Sequence, residues 1–264
     1  MARWLIAVFV WGLAALPAAA ADLTGEAIRA YDDYFAAARK EFVARAIGDA
    51  PGRRAERDAP SDSRGLVRPG SGDGILSKPD SLVHHWRGAI FLPGVSLDQV
   101  IAISQGYAEY PRIFKPIQTA TVLPAAGDGE FHVLFRMKSS AGGLSATLEL
   151  RTRIQWVRVD EGHAYVVSAS EQIREVANAG RPSEHLLPEG HDSGYLWRAA
   201  SMTRFAAGDG GVWMVMETVA LSRPFPPLLG WVIEPVARRL GRSSVEDSMN
   251  QFAQAVQGRS KLAP

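Results

Sequence analysis

The sequence predicts an α+β domain: an antiparallel sheet of about six to seven strands, closed by a long C-terminal helix, behind an N-terminal helical extension. Three observations predict it. From Gln118 to Ser222, β-rich runs alternate with glycine-bearing turns, as strands joined by hairpins do. After Pro226 the apolar period becomes helical, with Leu229, Val232, Val236 and Leu240 on one stripe and Val245, Met249, Phe252 and Val256 on another. Ahead of the sheet, Ile28, Tyr31, Phe35, Ala38, Phe42 and Ala46 recur three and four residues apart, which marks an amphipathic helix.

Taken in order, residues 1–21 read as a secretory signal peptide. Arg3 gives the positive start, Trp4 to Leu16 is apolar, Pro17 breaks the run, and Ala18 to Ala21 offers small-residue cleavage before Asp22. The apolar run is shorter than the ~20 residues a spanning helix needs, so no stable membrane anchor is expected. The expectation is export, to the periplasm or beyond it. Residues 22–48 form the amphipathic helix, which Gly48 and Pro51-Gly52 end. Residues 49–80, rich in Arg, Asp, Ser, Gly and Pro, read as a flexible linker, too poor in apolar surface to offset the entropy of ordering.

The compact domain is expected over 81–257, with a short tail at 258–264. Ser81 to Leu92 is a strand ending at Pro93-Gly94. Ser96 and Gln99 make a capping box for the helix that follows, and Val95 can staple onto Val100. Gly106 closes that helix, and Tyr107 to Phe114 forms a second short turn. The C-terminal helix is expected in two pieces, kinked at Pro235 and interrupted at Gly241, with Ser243 capping the second.

Composition excludes several classes. The chain has no cysteine, hence no disulfide, thiolate metal site or cysteine nucleophile. A net charge of +1, with Arg3 included, gives no basic excess for nucleic acid. His84 and His85 are adjacent on a strand and point to opposite faces; His185, His191 and Asp192 match no zinc signature. No G-x-S-x-G elbow and no phosphate-binding loop occurs, and no cofactor is expected.

The order strand, two short helices, strands, long helix resembles the START-like, or helix-grip, superfamily with its polyketide cyclase-like and Bet v 1-like members. Tyr107-Ala108-Glu109-Tyr110-Pro111 is similar to the aromatic-plus-proline turn that closes the family's first helix pair. Gly211-Val212-Trp213 through Glu217 to Arg223 and Pro226 is similar to the last strand feeding the grip helix in exported bacterial members. The likeness covers Ser81 to Val256. It implies a curved sheet around the C-terminal helix, with an apolar cavity between them.

Within that frame, Trp197, Trp213, Met214, Met216 and Trp231 are the candidate lining of a ligand cavity, and Arg198, Arg204 and Glu217 the candidate groups that orient a polar head. Each has a plain core or surface alternative. Glu217 interrupts an otherwise apolar strand face, where a lone carboxylate is costly. It therefore either pairs with Arg198 or Arg204 on the adjacent strand or meets a ligand head group. The N-terminal helix can cover the cavity mouth, pair with a second copy or lie on a membrane, with packing on its own domain the default. The expected role is binding of a hydrophobic small molecule or lipid. An enzyme using the same cavity and a cell-envelope interaction protein with a filled core are the alternatives.

Overall fold

The computed structural model describes residues 21–48, 66–124, 127, 129–141, 144–226 and 230–260. The expected signal peptide (apart from Ala21), residues 49–65 and the last four residues lie outside the described residues. In chain order the elements are β1 (Ala21–Asp22), α1 (Gly25–Gly48), β2 (Leu66–Pro69), β3 (Ile75–Lys78), β4 (Ser81–Pro93) and α2 (Leu97–Gln105). A 3-10 turn (Tyr107–Glu109) and α3 (Tyr110–Ile113) follow, then β5 (Ile117–Leu123), β6 (Glu130–Ala141), β7 (Leu144–Arg158) and β8 (His163–Ala177). The chain closes with β9 (His185–Leu186), β10 (His191–Asp192), β11 (Arg198–Gly208), β12 (Gly211–Ser222) and α4 (Gly230–Ser260).

One antiparallel sheet of ten strands runs β2-β4-β12-β11-β8-β7-β6-β5, with β3 added beside β4 and β9 beside β8. Its long strands match the expected number, and β2, β3 and β9 are the short additions. Strands β2 and β3 correct the linker reading of 49–80. They pair with β4 at Leu66–Pro69 against Trp86–Ala89 and Ile75–Lys78 against Ser81–His84. Too short to stand out by composition, both are held by a partner strand that is already ordered.

The capping box of α2 forms as its sequence implies: Gln99 N donates to Ser96 Oγ (3.2 Å) and Ser96 N to Gln99 Oε1 (2.9 Å). In contrast, α4 is one helix of 31 residues rather than two pieces. Pro235 lies near its start, where few backbone bonds are lost, and Ser243 donates to Leu240 O instead of capping. Gly241 stays helical for a packing reason. A side chain there would place its Cβ 2.3 Å from Trp86 Nε1, so the glycine lets α4 lie directly on the indole.

Alternation along the strands gives the sheet two covered faces. The grip face carries Trp86, Ile90 and Leu92 of β4, Val212 and Met214 of β12 and Phe205 of β11, packed against Val245, Met249, Phe252 and Val256 of α4. Trp156 stacks on Phe205 at 5.9 Å between ring centres. The back face carries Val83, Tyr165, Val167, Met202, Val219 and Leu221, covered by Tyr31, Phe42 and Ala46 of α1. The stripe legible in the sequence is therefore the stripe that docks. Burying a side chain such as Phe42 or Met249 completely is worth about 1.5–3 kcal/mol. Helix α1 thus lies on the opposite side of the sheet from α4, not over the mouth of the grip.

Candidate functional site

The eight residues singled out from the sequence do not converge. Register pairs Met214 with Phe205 and Met216 with Thr203, which puts both methionines on the grip face; Met214 is core and Met216 is partly accessible. Trp213, Arg204 and Glu217 belong to the opposite pleat and lie on the back face. Trp197 precedes β11, so strand alternation does not govern it. Its ring joins the α1 core, and Nε1 donates to Asp192 Oδ1 at 3.0 Å. Arg198 pairs with Glu189 at 2.8 Å, and Trp231 opens α4 with 79% of its surface exposed. Lining by one shared cavity thus gives way to a split across two faces, because a pleat reverses side-chain direction at every residue.

Glu217 finds its nearest partner on α1 and another on the neighbouring strand β4. Arg45 of α1 reaches it with Nη2, at 2.9 Å from Oε1 and 3.2 Å from Oε2. Arg87 Nε and His85 Nε2 each stand 3.5 Å from the carboxylate. Tyr34 of α1 hydrogen-bonds His85 Nδ1 at 2.8 Å, and Arg204 donates to the Arg45 carbonyl at 3.3 Å. Burial alone raises the Glu217 carboxyl, yet the neighbouring His85 ring and the Arg45 and Arg87 charges outweigh it and hold the group below the usual glutamate value. This cluster clamps α1 to the sheet. Glu217 takes the ion-pair reading, with Arg45 of α1 as its nearest charge and Arg87, opposite it on β4, as its cross-strand partner, and it does not anchor a ligand on the grip face, since the side chain faces away from α4.

The accessible part of the sheet lies elsewhere. Along β12 the back-face residues Val215, Glu217, Val219 and Leu221 are buried, whereas Met216, Thr218 and Ala220 on the grip face are only half-buried. Neighbouring strands repeat the contrast: Ala200, Met202 and Arg204 are buried on the back of β11, while Ala199 and Ser201 remain partly open in front. On β8, Val166, Ser168 and Ser170 share the open face, and His84 completes it on β4. The result is a partly accessible strip of the grip face, with Met216, Val166 and Ala199 as its apolar residues and a band of hydroxyls across it. Trp156 and Phe135 continue it towards the aromatic cluster of Tyr107 and Tyr110.

Sequence reasoning missed the hydroxyl band. Its signal was present: Ser168 and Ser170, Ser201 and Thr203, and Thr218 fall on matching strand parities, but only the cross-strand register shows that they meet. Burial also tunes two groups beside this strip. His84 is pushed down to about 4 by desolvation and is neutral at pH 7, with Nε2 2.8 Å from Ser222 Oγ. Desolvation raises the Tyr107 hydroxyl to about 12, and it accepts a bond from Trp156 Nε1 at 2.7 Å.

No family model matches the sequence, and no curated protein matches it. Solved structures do match in chain path. Human STARD10 superposes with a TM-score of 0.43 at 10% identity, covering 81% of this chain and 82% of that one. The lipid transfer and protein localization domain of human StarD13 gives 0.47 at 9% identity, over 78% of this chain and 93% of that one. A STAR-related lipid transfer protein from Xanthomonas axonopodis gives 0.43 at 14% identity, over 72% and 96%. The fold itself, an antiparallel sheet packed against the long C-terminal helix, is of the helix-grip kind. All three scores are below 0.5, so any role for this chain rests on its own residues.

Proposed function

We propose that this chain is an exported binding protein for a hydrophobic small molecule or lipid, held on the grip face between the sheet and α4. The supporting observation is the asymmetry of β12, buried behind and partly open in front at Met216, Thr218 and Ala220. A sheet face covered by a helix but left accessible at its centre is where an apolar ligand gains burial, at about 25 cal/mol per Å² before ordering costs. Ser168, Ser201 and Thr218 offer neutral hydrogen bonds, which suits a ligand with few polar groups rather than a charged one. Export rests on the composition of residues 1–21.

The enzyme alternative has one point of departure, the contact between His84 and Ser222. Ser222 Oγ stands 2.8 Å from His84 Nε2 and 3.1 Å from the Arg223 carbonyl, so its single proton is shared between two acceptors unless the imidazole donates. Among the described residues no carboxylate pairs with His84 to orient it as a base for that hydroxyl. The interaction-protein alternative draws on Trp231, Val232 and Val236, exposed together near the start of α4.

Native mass spectrometry of the protein taken from its exported fraction tests the reading. The expected result is a chain beginning at Asp22, carrying an apolar adduct in stoichiometric amount that Met216→Trp displaces by covering the open strip of the grip face. A clean apo mass that no lipid panel changes overturns it in favour of surface interaction. A mass retaining residues 1–21 overturns export.

A further inference from the structure

A concavity lies at the rim of the grip, where α4 crosses the edge of the sheet. This open cleft of about 360 Å³ is lined by Val67 and Pro69 of β2, Trp86 of β4, and Arg238, Arg239 and Arg242 of α4. Its floor is apolar and rigid. Trp86 is only 5% exposed, pinned from above by Gly241 and from the side by Gly74, where added Cβ atoms would fall 2.3 and 2.5 Å from the indole.

The charges of the cleft are unbalanced. Arg238 is committed: Nη2 reaches Asp73 Oδ2 at 2.5 Å and also pairs with Glu234, which ties the β2–β3 turn to the helix. Arg238 thereby takes up the carboxylates of Asp73 and Glu234. Arg239 and Arg242 have no ion-pair partner among the described residues. Spaced three apart, they project from neighbouring positions on one helix face. Two guanidinium forks side by side match an oxyanion with several oxygens, and their combined charge suits a dianionic phosphate monoester better than a singly charged carboxylate. The volume exceeds what a bare ion needs, and the Val67, Pro69 and Trp86 floor favours an apolar body attached to the anion.

We propose that this cleft binds a phosphate monoester carried on an apolar body, with Arg239 and Arg242 holding the phosphate and Trp86, Val67 and Pro69 receiving the body. The site is distinct from the open strip of the grip face and does not depend on what binds there. Titration calorimetry of the mature chain at low salt tests it, with dihexanoyl phosphatidic acid below its micelle concentration, hexyl phosphate, dihexanoyl phosphatidylcholine and inorganic phosphate as probes. Phosphatidic acid is expected to bind at least about tenfold more tightly than phosphatidylcholine, and more weakly as salt rises. If hexyl phosphate binds equally well, a soluble ester is the ligand; if it binds weakly, a lipid is; either supports the site.

The double variant Arg239→Gln with Arg242→Gln changes exposed side chains and is expected to fold. It should lower phosphatidic acid affinity about tenfold or more, while the Lys pair retains part of it. Binding that the Gln pair leaves unchanged overturns the proposal. So does inorganic phosphate that binds as tightly as the esters. Ester binding lost in Met216→Trp would assign the ligand to the grip face at Met216 and overturn the cleft.

Discussion

Replacing Arg45 by methionine keeps the aliphatic stem of the side chain and removes only the charge that reaches Glu217. Breaking a buried ion pair by deleting one partner costs about 3–5 kcal/mol where the other charge is left alone. Here the loss is smaller for two reasons. Arg87 and His85 remain 3.5 Å from the carboxylate, and the Arg45 side chain is 26% exposed, so part of its charge is already solvated. We expect a loss of about 2 kcal/mol, read at pH 7 by urea unfolding followed by circular dichroism. In thermal melting that corresponds to a fall of about 4–8 °C for a chain of this size. Glu217→Gln should erase most of the effect, so that the double-mutant cycle yields a coupling of about 2 kcal/mol. A coupling below about 0.5 kcal/mol, with Arg45→Met as stable as the parent, would refute the view that this pair clamps α1 to the sheet.

Two further predictions concern stability. Gly241→Ala should destabilise by about 1–3 kcal/mol in thermal melts, because the 2.3 Å approach to Trp86 Nε1 outweighs the roughly 1 kcal/mol that alanine brings inside a helix; a raised melting temperature would mean that α4 does not rest on the indole. His84 gives a pH dependence. Its folded value, about 4, is depressed below the ordinary 6.5, so the unfolded chain binds the proton first as pH falls. Its contribution is intact above about 6.5 and is lost progressively towards pH 4, about 3 kcal/mol in all. Glu217, also depressed, adds a further loss at more acid pH, below the ordinary glutamate range. His84→Gln should flatten the upper part of the curve, and parallel curves for variant and parent would disprove the assignment.

Much of the fold was legible because its signals are local. The capping box at Ser96 and Gln99, the stripe of Tyr31, Phe42 and Ala46, and the hairpin turn Gly208-Asp209-Gly210 each declare themselves within a few residues. Strands β2 and β3 did not, since four residues within a polar stretch carry no periodicity of their own. The site was less legible than the fold. Alternation correctly grouped Trp213 with Glu217 and Met214 with Met216, but nothing in one strand says which group meets α4. That choice is made by register with Ile90 and Trp86 on β4, and by the docking of α1 behind. Trp197 escaped because it stands just before the strand, where a bend redirects it.

The clamp between α1 and β12 also has a consequence in time. Arg45 and Glu217 are 172 residues apart in the chain, and Tyr31 and the Val219 carbonyl that it bonds are 188 apart. Helix α1, made early, therefore lacks the β12 part of its docking surface until the last strand is made, although Val83, Tyr165 and Val167 come sooner. Contacts of such sequence separation slow folding, and part of the apolar stripe of α1 stays uncovered meanwhile. The chain thus carries an early helix that completes its docking only at the end, and whatever shields Tyr31 during that interval decides how much of the protein reaches its native sheet.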